Sequence, residues 1–203
     1  MYVDKPELLL FDLGGVIVDV ASRAEIHAWM PTSLDLSQWT EHWPAEDIFE
    51  AFEMGLLTEE EFGEQFIAGF PLNTTSDVFL AAFESWNKGL LPGSVELLAE
   101  LRDQYRLAAL SNTNALHWKR LEGDFGIPGL FERVFTSYEL GLRKPDPTIY
   151  VHTLSVLDVK PEAVLFFDDN ALNIEAARDL GMQAHRVDRP EGVRATLREL
   201  GLL

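Results

Sequence analysis

Near its N-terminus the chain carries the stretch LLLFDLGGVIVDV, which runs from Leu8 to Val20. Its apolar opening has the length and composition of a β-strand that is covered on both faces of a parallel sheet. A single carboxylate, Asp12, interrupts this run before two glycines and a second aliphatic run. Because burial of an unpaired carboxylate costs several kcal/mol, we expect Asp12 to have a compensating partner.

Downstream of Pro92, short strand patterns alternate with amphipathic helix patterns up to the C-terminus. The predicted strands are RLAAL, RVFTS, AVLFF and MQAHRV, and the helices between them include ALHWKRLEGDF and ALNIEAARDLG. This alternation predicts an α/β fold, a Rossmann-like doubly wound parallel sheet with helices on both faces. We assign residues 1–20 and 92–203 to this domain.

Residues 21–91 have a different character. They are rich in aromatic residues, lack strand signals, and carry helix-start patterns at TSLDLSQW, PAEDIFEAF and TEEEFGEQF. The sequence therefore predicts an all-helical domain inserted after the first strand. We expect most of its aromatic side chains to form its core, and we take Trp43, Phe52 and Trp86 as candidates for contact with a ligand.

The charge of the chain limits the classes of partner. Thirty-four acidic against sixteen basic residues give a formal net charge of −18, which argues against binding to nucleic acid or to an anionic membrane surface. The chain has no cysteine, no basic leader segment, and no uncharged apolar run long enough to span a bilayer. These features predict a cytoplasmic protein with a small-molecule partner, and they leave its oligomeric state open.

Polar residues follow four of the predicted strands, at the edge where ligands bind in doubly wound sheets. The set is Asp12, Ser111, Asn112, Lys144, Asp168 and Asp169. Each of these residues alone would be weak evidence, since an aspartate after a strand is commonly a helix cap. Together, in this order along the chain, they predict a functional site.

The chemistry that suits this set is phosphoryl transfer. An aspartate can act as a nucleophile and form an aspartyl-phosphate. Mg²⁺ prefers hard oxygen ligands such as carboxylates, and three neighbouring carboxylates ionise together only with a cation between them. A lysine and a serine hydroxyl can hold phosphate oxygens. Metal and lysine together would therefore compensate the charge of Asp12.

The chain resembles the haloacid dehalogenase-like hydrolase family over essentially its whole length. FDLGGVIVD is similar to the first motif of that family, LSNTN to the second, GLRKPDPTIY to the third and FFDDNALNIEAA to the fourth. The last two motifs are the most specific, and they look most like the bacterial sugar-phosphatase branch that acts on glucose-1-phosphate. The inserted helical domain would correspond to the cap of the family.

The resemblance implies a role for each motif residue. Asp12 would be the nucleophile and a Mg²⁺ ligand, Asp169 the other main protein ligand with Asp168 assisting, and the main-chain carbonyl of Gly14 could reach the metal. The remaining implied residues hold the phosphate and are Ser111, Asn112 and Lys144.

Gly14 is a departure from the family pattern. Most phosphatases of the family carry there a second aspartate that acts as general acid and then base, which contributes about 10²–10⁴-fold to the rate, or about 3–5 kcal/mol. A sugar-1-phosphate would tolerate the loss, because its anomeric oxygen departs more easily than an ordinary alkoxide. Asp19 is a candidate for a substitute acid.

The sequence thus predicts a Mg²⁺-dependent phosphatase that hydrolyses a small phosphate monoester, such as a sugar-1-phosphate, through an aspartyl-phosphate. One alternative is a metal-independent 2-haloacid dehalogenase, which needs no acid at position 14, although Asp168 and Asp169 argue for a metal. A second alternative is a catalytically silent protein that binds phosphate or a partner, for which Gly14 is the support.

Overall fold

A computed structural model of the chain describes residues 5–22, 25–26, 46–69 and 74–203. The strands are β1 (Leu8–Phe11), β2 (Val18–Val20), β3 (Asn87–Leu90), β4 (Arg106–Ser111), β5 (Arg133–Thr136), β6 (Val164–Asp168) and β7 (Gln183–Arg186). The helices are α1 (Glu46–Glu53), α2 (Glu59–Gly69), α3 (Ser76–Glu84), α4 (Ser94–Arg102), α5 (Ala115–Gly123), α6 (Ser137–Leu140), α7 (Pro147–Leu157), α8 (Ala171–Asp179) and α9 (Arg189–Glu199). Within this part of the chain, no helix has both the length and the apolar character needed to cross a membrane.

The main sheet has five strands in the order β5-β4-β1-β6-β7, and all of its pairings are parallel. This confirms the predicted α/β fold. β1 lies at the centre and is fully buried, because helices cover both of its faces. Phe11 pairs with Ala109 of β4 and with Phe167 of β6. The carboxyl ends of these three strands are therefore level, and the residues that follow them meet at one edge.

The alternation of side chains along β1 divides the core into two layers. Leu9 and Phe11 pack into a cluster with α4, α5 and α9, whereas Leu8 and Leu10 pack into a cluster with α7 and α8. A strand of four consecutive apolar residues is needed for this arrangement, since each of its faces meets a helix layer. The two helix layers therefore explain why the first four residues of the stretch Leu8–Val20 are all apolar and buried.

Helices α1 to α3, which we call the cap, pack around an aromatic core of their own. Its buried rings are Phe52, Phe62, Phe66, Phe79 and Phe83. The helices predicted at PAEDIFEAF and TEEEFGEQF are confirmed. The second begins with a capping box, in which the Glu61 N–H donates to Thr58 Oγ1 at 3.2 Å and the Thr58 N–H donates to Glu61 Oε2 at 2.9 Å. The helix start at TSLDLSQW and Trp43 lie outside the described residues.

The prediction that residues 21–91 carry no strand is wrong for β3. This short strand pairs antiparallel with β2, Val18 opposite Leu90 and Asp19 opposite Gly89, and the resulting ribbon leads into and out of the cap. NKGL has a low intrinsic strand propensity, so its extended form depends on the partner strand. Gly89 has a φ of +116°, and a Cβ there would lie 2.7 Å from the Phe125 ring.

Candidate active site

A buried ion triad lies at the carboxyl edge of the sheet. Lys144 Nζ donates to Asp12 Oδ1 at 2.7 Å and to Asp168 Oδ2 at 2.6 Å. The lysine is 1% exposed and Asp168 is 0% exposed. The Asp12 N–H donates to the Phe167 carbonyl at 2.8 Å, which fixes the main chain directly after β1. Asp12 therefore has the partner that its position in an apolar run requires.

Asn112 positions Lys144 through two reciprocal hydrogen bonds. Its Nδ2 donates to the Lys144 carbonyl at 2.8 Å, and the Lys144 N–H donates to its Oδ1 at 2.9 Å. Both ends of the amide are thus engaged with the main chain of the lysine. A phosphate contact from Asn112 stays a prediction.

Asp168 is held by Asn173, a residue that the sequence analysis missed. Asn173 Nδ2 lies 3.0 Å from both carboxylate oxygens, and the Asn170 N–H donates to Oδ1 at 2.8 Å. Asn173 is 6% exposed on the inner face of α8. The sequence did contain a signal for Asn173. In the motif FFDDNALNIEAA, this polar residue occupies a helix position where an apolar residue is expected.

The electrostatics of this cluster favour the binding of a cation. Burial raises the pKa of Asp12 to about 7; Lys144 opposes this shift, while Asp168 and Asp169 add to it. Burial and the Asp168 charge also raise the pKa of Asp169. For Lys144, burial lowers the pKa, but the adjacent carboxylates outweigh it and the net pKa is raised. One ammonium is not enough for three carboxylates, so a bound cation would stabilise their ionised forms.

The donor set fits a hard divalent cation. Carboxylate oxygens of Asp12, Asp168 and Asp169 lie within 4.8 Å of one another. Gly15 has a φ of +73°, and a Cβ there would lie 2.8 Å from Asp169 Oδ2, so only glycine permits this close approach. Arg186 Nε donates to the Asp169 carbonyl at 2.8 Å and fixes the main chain. Such an arrangement matches the oxygen ligands and compact geometry that Mg²⁺ prefers.

A cavity of about 380 Å³ lies between the sheet edge and the cap. On the sheet side it is lined by Gly14, Ser111 and Asn112. The cap side contributes aromatic rings and charged groups, which include Phe49, Glu50, Glu53, Phe83 and Trp86. Motif residues and cap residues therefore enclose the same space, as expected for a site whose substrate contacts both domains.

The candidate contact residues of the inserted domain divide into two groups. Trp86 lines the cavity. Phe52 is 2% exposed and stacks on Phe62 with ring centroids 4.2 Å apart, so the structure places it in the cap core. Within the described residues, the cavity lining includes Val18 and Val20 but not Asp19 between them, and Asp19 faces Lys88 instead. Because side chains alternate in direction along a strand, the Asp19 side chain points away from the cavity in which a substitute acid would have to lie.

In the described part of the chain, polar contacts that the sequence analysis did not predict join the cap to three residues of the sheet domain. Arg143 pairs with both Glu50 and Glu53 of α1, the latter at 3.2 Å. Ser137 Oγ contacts the Glu53 carbonyl at 2.6 Å and the Thr113 carbonyl at 2.9 Å, within donating distance of both. His117 Nε2 lies 2.7 Å from the Phe83 carbonyl. These contacts fix α1 and α3 over the motif residues.

The chain belongs to the haloacid dehalogenase-like hydrolases, since a profile of that family matches residues 6–181. D-ribitol-5-phosphate phosphatase of Bacteroides thetaiotaomicron is 28% identical over 86% of this chain and 88% of that protein. Flavin mononucleotide hydrolase 1 of Arabidopsis thaliana, a protein with a chloroplast designation, is 26% identical over 98% of this chain and 79% of that protein.

Solved structures agree with this family. A HAD family enzyme from Bacteroides thetaiotaomicron, in complex with magnesium and inorganic phosphate, has a TM-score of 0.75 at 27% identity and covers 89% of this chain and 93% of that chain. The predicted family membership is confirmed, and the chain is an enzyme of the hydrolase class. The narrower resemblance to the glucose-1-phosphate branch stays a prediction.

Proposed function

We propose that this protein is a Mg²⁺-dependent phosphatase that hydrolyses a small phosphorylated metabolite through an aspartyl-phosphate intermediate. The observation that carries the proposal is the placement of Lys144 Nζ between Asp12 and Asp168, within the carboxylate cluster that includes Asp169. A nucleophilic carboxylate, a fixed cation and a metal-type oxygen set are the parts that this chemistry needs.

The reaction has two displacements at phosphorus. In the first, a carboxylate oxygen of Asp12 attacks the phosphorus, and the ester oxygen departs with the electrons of the broken bond. In the second, water attacks the phosphorus of the aspartyl-phosphate, which releases inorganic phosphate and restores Asp12. The charge on the transferring group is offset by Lys144, and Ser111, buried at the cavity wall, offers its hydroxyl to a phosphate oxygen.

The metal would be held by the aspartate cluster. Asp12 and Asp169 are its main candidate ligands, with Asp168 and the Gly14 carbonyl assisting, because the oxygens of Asp168 are already engaged with Lys144, Asn170 and Asn173. When bound, Mg²⁺ supplies the positive charge that keeps the carboxylates ionised beside an anionic substrate. Asn112 and Asn173 then act as positioning residues for the lysine and for Asp168.

We further propose a sugar phosphate as the substrate, with a sugar-1-phosphate preferred. A cavity of about 380 Å³ has the size of a small-ligand site. Trp86 offers a ring face to the C–H surface of a sugar, and the charged groups of the cap offer hydrogen bonds to its hydroxyls. The anomeric oxygen of a 1-phosphate is the better leaving group, which suits the absence of an acid at Gly14. A cytoplasmic location stays a prediction from the sequence.

The test is phosphate release from a panel of sugar-1-phosphates and sugar-6-phosphates, with Mg²⁺ and with the metal chelated. The proposal expects release that depends on Mg²⁺ and is faster with the 1-phosphates. Chloride release from 2-chloropropionate without metal would favour the dehalogenase alternative. Phosphate binding without turnover of any ester would favour the silent alternative.

A further inference from the structure

Gly14 leaves the reaction without a proton donor at the usual position, and the leaving oxygen of an ordinary alcohol needs one. Such a donor must line the cavity and must hold a proton near neutral pH. Within the described part of the cavity wall, the titratable candidates are Glu50, Glu53 and His117. His117 is a poor donor: its ring contacts the Phe83 carbonyl and the Asn114 amide, and burial lowers its pKa to about 4.

Glu53 is fixed over the motif residues by its main chain. The Ser137 hydroxyl contacts the Glu53 carbonyl at 2.6 Å and also accepts from the Thr113 N–H at 2.9 Å. Thr113 lies two residues after Ser111 in the loop that follows β4. The last turn of α1 is therefore attached to the loop that carries the predicted phosphate-binding serine.

Burial and the neighbouring Glu50 carboxylate favour the protonated form of Glu53. Arg143 is shared between Glu50 and Glu53, so two carboxylates face one guanidinium, and a single proton makes this cluster neutral. The Glu53 side chain is 25% exposed. Burial raises the pKa of Glu53; Arg143 and Lys144 oppose this shift, and Glu50 adds to it.

We propose that Glu53 is the proton donor to the departing ester oxygen, acting from the cap side of the cavity. This rests on the proposed phosphatase function. As Asp12 attacks and the phosphorus–oxygen bond breaks, the proton on the Glu53 carboxyl moves to the ester oxygen, and the alcohol leaves neutral. The Glu53 carboxylate then takes a proton from the water that attacks the aspartyl-phosphate, which returns both carboxyl groups to their starting states.

This assignment widens the range of substrates. An ester with a good leaving group needs little help from an acid, whereas a primary alkyl phosphate depends on it. Glu53 therefore matters for the hydrolysis of a sugar-6-phosphate and matters little for that of p-nitrophenyl phosphate. A merely structural role of Glu53 in the docking of the cap would affect both esters alike.

The test compares Glu53→Gln with the wild type on glucose-6-phosphate and p-nitrophenyl phosphate, both with Mg²⁺. We expect kcat on glucose-6-phosphate to fall by about 10²–10⁴-fold, with p-nitrophenyl phosphate turnover nearly retained, which also reports that the variant is folded. The decline of kcat/KM with rising pH, as Glu53 deprotonates, should disappear in the variant. Glu100→Gln, which removes a surface glutamate paired with Arg194, is the matched control and should behave as the wild type does.

A rescue variant separates a missing proton from a missing contact. A Cβ at Gly14 would meet only Val20 Cγ1 at 3.6 Å and Asp12 Oδ2 at 4.0 Å, so an aspartate has room there. Adding Gly14→Asp to Glu53→Gln should restore activity on glucose-6-phosphate. The proposal would be overturned if Glu53→Gln lost activity equally on the two esters or kept full activity on glucose-6-phosphate. It would also be overturned if the double variant recovered no activity on glucose-6-phosphate. A wild type that hydrolyses sugar-1-phosphates but neither of these esters would overturn this proposal alone, whereas a wild type that hydrolyses no phosphate ester would overturn the proposed function with it.

Discussion

Lys144 Nζ lies 2.7 Å from Asp12 Oδ1, and the lysine that makes this contact is almost completely shielded from solvent. The same ammonium lies 2.6 Å from Asp168 Oδ2. A buried lysine is stable only with such partners, and buried carboxylates depend equally on the lysine. The nucleophile, the lysine and the aspartate pair thus form one electrostatic unit, although more than 130 positions separate Asp12 from Lys144 along the chain.

Removal of this ammonium should destabilise the fold as well as the activity. Lys144→Met leaves Asp12 and Asp168 facing each other in the interior without a cation, and we expect the free energy of unfolding to fall by about 3–5 kcal/mol. Urea denaturation with the metal chelated measures this. Lys88→Met removes an exposed ion pair with Glu25 and should change the stability little. A Lys144→Met protein as stable as the wild type would contradict the account of the triad.

Gly15 is expected to be essential for metal binding rather than for folding. Gly15→Ala places a Cβ 2.8 Å from Asp169 Oδ2, so the carboxylate must move. Gly126 has a similar φ of +61°, and a Cβ there would meet nothing within 4 Å, so Gly126→Ala isolates the backbone cost. Each variant should lose about 1–2 kcal/mol of stability. The Mg²⁺ concentration for half-maximal activity should rise about 10–100-fold for Gly15→Ala alone, and equal values for the two variants would refute this role.

His117 should make the protein sensitive to mild acid. Burial lowers its pKa to about 4 from an ordinary value of 6.5. Between these values the unfolded chain binds a proton that the folded protein does not, so the free energy of unfolding falls with falling pH by up to about 1.4 kcal/mol per pH unit. Above pH 6.5 the contribution of the buried, neutral His117 to the free energy of unfolding is fully present.

The comparison of His117→Gln with the wild type isolates this effect from the titration of other groups. Denaturation at about pH 7 and about pH 5 should show that the stability advantage of the wild type over the variant shrinks at the lower pH. His152→Gln, at an exposed position on α7, is the matched control for the loss of an imidazole. An advantage that is constant with pH would argue against a buried neutral His117.

The sequence alone predicts much of the sheet side of the site, for a physical reason. A parallel sheet brings the residues that follow its strands to one edge, so Asp12, Ser111 and Asp168 could be grouped without coordinates. Asn112 was recognised as part of the site, but its two hydrogen bonds to the Lys144 main chain depend on how two loops pack. Asn173 was missed because its contact with Asp168 depends on the face that α8 turns inward.

The cap side could be predicted much less well. The aromatic residues of the insertion could form a core or line a cavity, and packing alone decides between these roles, as the different placements of Phe52 and Trp86 illustrate. The pairing of Arg143 with Glu53 joins residues that are 90 positions apart and follows from how the cap docks. β3 also escaped prediction, because its extended form depends on β2 and not on its own composition.

The most direct test of the central claim is phosphate release by the wild type and by Asp12→Asn, each with Mg²⁺ and with the metal chelated. Asparagine keeps the size of the side chain and removes the nucleophilic carboxylate. The wild type should release phosphate only with Mg²⁺, and kcat should fall about 10⁴–10⁶-fold in the variant. Phosphate release by Asp12→Asn at the rate of the wild type would contradict the account.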